Sequence, residues 1–64
     1  MKYVIFKDWH TQRLILVNVF QVAYVTPEIG RNSVLHFNNS MEIAVEGDID
    51  KVLDMIEETY IEED

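Results

Sequence analysis

The chain has no cysteine, one proline, two glycines and one tryptophan among its 64 residues. Without cysteine there are no disulfides, no thiol chemistry and no Cys-based zinc site, a composition suited to a reducing cytoplasm. So few prolines and glycines leave no stretch that reads as a linker, so residues 1–64 are expected to form one domain with a frayed acidic end. Basic residues are also scarce, five against twelve carboxylates, giving a formal charge of −7. That balance argues against a surface that neutralises phosphates and against attraction to an anionic membrane. No apolar run is long enough to cross a bilayer, and residues 1–7 are too short for a signal peptide's hydrophobic region. A cytoplasmic protein without membrane insertion is the expectation.

What is present is unevenly spread. About half the residues are apolar, which excludes disorder by composition. Residues 1–41 hold Lys2, Lys7, Arg13 and Arg31 against Asp8 and Glu28, whereas residues 42–64 hold ten carboxylates against Lys51. A domain this small buries only about 60% of its unfolded surface, and many such domains gain stability from a disulfide, a metal or self-association. With disulfides excluded, self-association stays open.

The periodicities predict five strands and then a helix. Tyr3, Val4, Ile5 and Phe6 alternate before Asp8-Trp9-His10-Thr11 breaks the run as a turn. A second strand is expected over residues 12–17, where Leu14-Ile15-Leu16-Val17 is apolar on both faces, the pattern of a strand covered on both sides. Val22-Ala23-Tyr24-Val25 is a third strand, ended by Thr26-Pro27. Residues 34–37 and 41–46 form a hairpin across Asn38-Asn39-Ser40, with the asparagines accepting the positive φ of a tight turn. A loop with one residue beyond the two-residue turn pairs Phe37 with Met41 and gathers Leu35, Phe37, Met41, Ile43 and Val45 on one side, and this register is preferred. Ile49, Val52, Leu53, Ile56 and Tyr60 then make a helical stripe behind the N-cap Asp48, with Asp50 in the first turn. The expected fold class is α+β: a small antiparallel sheet of four to five strands followed by one C-terminal amphipathic helix.

Ile15-Leu16-Val17-Asn18, then Val22-Ala23-Tyr24-Val25, then Val34-Leu35-His36-Phe37-Asn38-Asn39, and finally Met41-Glu42-Ile43-Ala44-Val45 leading into Asp50-Lys51-Val52-Leu53-Asp54-Met55-Ile56 form a sequence of segments. Over residues 14–58 it resembles small bacterial proteins of the flagellar FlbD/SwrD type. The resemblance consists of apolar spacing and turn residues, and it implies an accessory role without catalysis. Where that family has a glycine in the last hairpin turn this chain has Asn39 and Ser40, and its helix is less basic. The chain is also similar to short prophage accessory proteins. Its strands look like half of a LytTR-type DNA-binding domain that lacks the basic residues for DNA contact.

No chemistry-bearing constellation stands out. His10 and His36 have no ligand partner at metal spacing, and none of Thr11, Thr26, Ser33 and Ser40 sits in a nucleophile motif. Asp48, Asp50 and Asp54 cluster oxygens, but the glycine of a calcium loop is missing and helix capping explains them better. No enzymatic activity, cofactor or metal is expected. Two surface features carry the functional reading. Trp9 in the first turn either folds over the core edge or serves as an interface anchor. Asp50, Asp54, Glu58 and Glu62 stand four apart with Glu57 beside them, a ladder in which each like-charge pair costs roughly 0.2–0.5 kcal/mol; it is either a solvated face or a surface for a basic partner.

Two classes of function follow. The first is a small non-enzymatic accessory or regulatory protein acting through protein–protein contacts and homo-oligomerisation, its self-association face drawn from Tyr3, Ile5, Leu14, Leu16, Val22 and Tyr24. The second is an acidic nucleic-acid mimic that inhibits a DNA- or RNA-binding protein, since a ladder stepping about 6 Å loosely approximates phosphate spacing. Neither binds nucleic acid directly.

Overall fold

The computed structural model describes residues 2–61, with side chains described over 2–59. The elements run β1 (Tyr3–Lys7), β2 (Leu14–Asn18), a 3₁₀ turn (Val19–Gln21), β3 (Val22–Pro27), β4 (Asn32–Phe37), β5 (Glu42–Glu46) and α1 (Ile49–Ile61). The class is therefore α+β, antiparallel throughout and closed by a C-terminal helix. The strands do not form one sheet of four to five. They form a two-stranded ribbon, β1–β2, and a three-stranded sheet in the order β3-β4-β5.

The division arises in the first turn. The Asp8 carboxylate accepts from the amides of His10 (2.8 Å) and Thr11 (3.1 Å), and the Asp8 carbonyl accepts from Gln12 at 2.9 Å. These bonds hold Gln12 at φ 62, so β2 begins at Leu14 and not at Gln12. At the same point Asp8 forms a single antiparallel bridge to Val45, and the Trp9 amide donates to the Ala44 carbonyl at 2.8 Å. Only the end of the ribbon is joined to β5, and the two ladders diverge from there.

The last hairpin adopts the wider-loop register. Leu35 pairs with Ile43, His36 with Glu42, and the Phe37 amide donates to the Met41 carbonyl at 2.9 Å. The positive φ falls on Ser40 (73°) and not on either asparagine. Asn39 contributes through its side chain, which accepts from the Met41 amide at 3.1 Å.

The core lies between the two ladders. Val4, Phe6 and Val17 face Leu35 and Val45 across it, and Val19 and Val52 are fully buried. Gly47, at φ +118, turns the chain from β5 into α1, where an L side chain would be strained. Asp48 caps the helix by accepting from the Lys51 amide at 2.9 Å. Ser33 secures the same corner, its fully buried hydroxyl donating to the Gly47 carbonyl at 2.9 Å.

α1 lies against β1, β3 and β4 with Val52 and Ile56 of the expected stripe turned inward, while Leu53 is not. Val52 is fully buried and Met55 and Ile56 pack on the core, whereas Leu53 is 45% exposed. Met55, at helical spacing from Val52 and beside Ile56, takes the inward place expected of Leu53. Contact with the sheets chooses between them. The side chain of Tyr60, together with Glu62 and the acidic end, lies outside the described residues.

Candidate interaction surface

The β1–β2 ribbon has two apolar faces. Its register pairs Val4 with Val17 and Phe6 with Ile15, and these four side chains point into the core. Because side chains alternate, Tyr3, Ile5, Leu14 and Leu16 must point the other way. All four are exposed, Tyr3 to 46%, Ile5 to 57%, Leu14 to 73% and Leu16 to 64%. Ile5 and Leu16 are direct cross-strand partners, with Leu14 and Tyr3 diagonal to them, so the four make one contiguous patch. The strand that sequence alone reads as covered on both sides is covered on one.

The other two residues of the expected face go elsewhere. A bulge between Val22 and Tyr24 shifts the β3–β4 register, so these residues no longer share a face despite standing two apart. Val22 turns inward and packs, partly buried, against the core. Tyr24 is exposed on the outer side of the three-stranded sheet, where it stacks on His36 with ring centroids 4.2 Å apart. His36 is further held by Thr26, whose Oγ1 lies 2.9 Å from Nε2, and by Glu42, whose carboxylate lies 3.6 Å from Nδ1. This face is polar and separate from the ribbon patch.

A cleft that the strand pattern does not reveal runs along β2. It has a volume of ≈ 320 Å³, with Ile15, Leu16, Val17 and Asn18 on one side and Phe37, Met41 and Ile43 of the last hairpin on the other. Met41 is exposed at its rim. The cleft lies where β2 and the last hairpin stand apart, away from the backbone join of Asp8 and Trp9 to Val45 and Ala44. The continuous apolar run Leu14–Val17 is the sequence signal that could have located it.

The acidic ladder stands on the outer side of α1. Asp50, Asp54, Glu57 and Glu58 are all exposed. Among the described residues the one ion pair within 4.0 Å is His36 with Glu42, so no cation neutralises these four. Trp9 is half-exposed beside the start of the helix, lining a hollow with Arg31, Glu46, Asp48 and Lys51. Its backbone is tied down on both sides, since its carbonyl also accepts from Gln12 Nε2 at 2.8 Å. The Thr11 amide, more than the His10 amide and the His10 charge, holds the Asp8 carboxyl below its ordinary range. No cluster of three or more metal-ligating side chains occurs among the described residues, and no described helix is long and apolar enough to cross a membrane.

Compared with family models, curated proteins and solved structures, the chain matches none.

Proposed function

We propose that the chain is a small non-enzymatic accessory or regulatory protein that acts through protein–protein contacts and by associating with itself. The observation that carries this reading is the patch of Tyr3, Ile5, Leu14 and Leu16 on a ribbon whose other face is already committed to the core. Fully burying one large apolar side chain is worth about 1.5–3 kcal/mol. Four partly exposed ones, doubled by a symmetric partner, reach the range that offsets an association cost of roughly 4–15 kcal/mol. A reducing cytoplasmic setting suits a chain without cysteine. An auxiliary role beside a larger bacterial or prophage assembly suits the resemblance drawn from its strands.

Sedimentation equilibrium across micromolar concentrations tests this reading. The wild type should sediment as a dimer or a higher closed oligomer, and Ile5→Lys with Leu16→Lys should sediment as one folded chain. A wild-type mass of one chain throughout would sink it.

A second reading rests on a different observation, the four exposed carboxylates of α1 without a cation among the described residues. Such a face suits a Lys/Arg-rich partner, including a nucleic-acid-binding protein whose site it occupies as an acidic mimic. Displacement of a labelled DNA duplex from a basic DNA-binding domain, lost on charge reversal at Asp54 and Glu58, is its test.

A further inference from the structure

The cleft between β2 and the last hairpin is bounded at both ends by backbone bonds. At one end the Trp9 amide donates to the Ala44 carbonyl at 2.8 Å. At the other the Asn38 amide donates to the Gln21 carbonyl at 2.9 Å, and Asn38 Nδ2 donates to the Phe20 carbonyl at 3.4 Å. Between these joins β2 pairs only with β1, and β5 only with β4, so no ladder fills the gap. The stretch from Ile15 to Asn18 spans about 10 Å at roughly 3.3 Å per residue. A slot of ≈ 320 Å³ holds on the order of ten non-hydrogen atoms, if each takes about the volume of a water, ~30 Å³. That is the small end of the range for ligand pockets, about 300–1,000 Å³. A helix, about 10 Å across, is too bulky for it.

The lining changes character along the slot. Ile15, Leu16, Val17, Met41 and Ile43 wall it with apolar groups, and no charged side chain lines it. Asn18, Gln21 and Asn39 gather at one end, because the bond from Asn38 to Gln21 brings the hairpin turn against the 3₁₀ turn that follows Asn18. Two of these amides are already half-used. Asn18 Oδ1 accepts from the Phe20 amide at 3.0 Å, and Asn39 Oδ1 accepts from the Met41 amide at 3.1 Å. What each has left to offer is its NH₂ group, a hydrogen-bond donor. A ligand that matches this lining has an apolar tail and an acceptor at one end. Its head carries no charge, since a charged head would lose its water with no counter-charge to meet it.

We propose that the slot binds a small uncharged amphiphile, an alkyl chain of about eight carbons that ends in an ester or ketone carbonyl. The carbonyl oxygen accepts from Asn18 and Asn39, and the tail lies along Ile15, Val17 and Ile43. The site does not rest on the self-association proposed above, although Leu16 borders both the slot and the exposed patch.

Methyl octanoate is the probe, titrated into the full chain at one low protein concentration and followed by two-dimensional NMR. The methyl resonances of Ile15, Val17 and Ile43 and the side-chain amides of Asn18 and Asn39 should move along one saturable curve. Octanoate and octylammonium, with the same tail and charged heads, should bind at least about tenfold more weakly. Asn39→Asp keeps the oxygen for the Met41 amide but replaces the NH₂ group by a second acceptor, and it should weaken the ester about tenfold with the backbone spectrum preserved. Equal binding of the three probes, or shifts centred on Tyr3, Ile5 and Leu14, would mean that the tail adheres to exposed apolar surface, and the site is overturned. No shift up to the solubility limit of the ester overturns it as well. If the slot resonances move on raising the protein concentration without any probe, a second copy fills the slot: the site is overturned and self-association stands. A saturable ester complex of a protein that stays one chain at every concentration upholds the site and overturns self-association. Should Asn39→Asp disrupt the turn, the ranking of the three probes decides alone.

Discussion

Replacing Val52 by alanine measures which way α1 faces. Val52 is 0% exposed and Leu53 is 45% exposed, so adjacent residues on one helix sit on opposite sides of the protein's boundary. Removing two buried carbon atoms costs about 1.6 kcal/mol in transfer free energy, to which the cavity adds about 1. Alanine recovers about 0.5 kcal/mol in helix propensity. The net loss for Val52→Ala is about 2 kcal/mol. Leu53→Ala deletes more atoms, but many of them already lie in water, and its loss should stay below about 1 kcal/mol. Urea unfolding at one fixed protein concentration separates the two, because a slope of about 1 kcal/mol per molar turns these losses into midpoint shifts of about 2 M and under 1 M. A loss from Leu53→Ala equal to or greater than that from Val52→Ala would falsify this orientation and place Leu53 against the sheets.

Three further outcomes follow from the packing and charge. Because Asp8's folded pKa is lowered, its contribution is fully present above the unfolded value of about 3.9 and is lost as pH falls through the folded value. Asp8→Asn keeps an oxygen for the Thr11 and His10 amides and should flatten that part of the acid melt, so an unchanged profile counts against the cap. Ser33→Ala removes a buried hydroxyl from the Gly47 carbonyl and should cost about 1–2 kcal/mol in urea, and a loss within error would mean the hydrogen bond contributes nothing net. Rising salt should stabilise the free chain by screening Asp50, Asp54 and Glu58, and Asp54→Lys with Glu58→Lys should raise its melting temperature while abolishing binding to a basic partner. Full retention of that binding would leave the helix face as solvated surface.

Local chemistry was legible where one residue decides it. Asp48 before an apolar-periodic segment is a helix cap in any tertiary setting, and the need to bury Leu35, Ile43 and Val45 together fixed the hairpin register. What the chain did not reveal depends on contacts between distant segments. The split into two ladders comes from Asp8 meeting Val45, and the placement of Val22 apart from Tyr24 comes from a bulge that no local pattern announces. The apolar run Leu14–Val17 was ambiguous for a different reason. Two apolar faces say that a strand has two surfaces to hide, and they do not say whether the second is hidden by the same molecule.

The join between Asp8 and Val45 also sets an order in time. Thirty-seven positions separate the two residues, so the ribbon gains its support from β5 only after a long loop has closed. Hairpins form in microseconds, and closures across the chain come later and govern the rate of such folds. The β1–β2 hairpin is synthesised first and waits for a strand near the other end. Throughout that interval both its apolar faces and its open edge meet solvent, which makes residues 14–17 the segment through which a crowded refolding mixture should aggregate. Slow dilution out of denaturant should therefore recover more folded protein than rapid concentration.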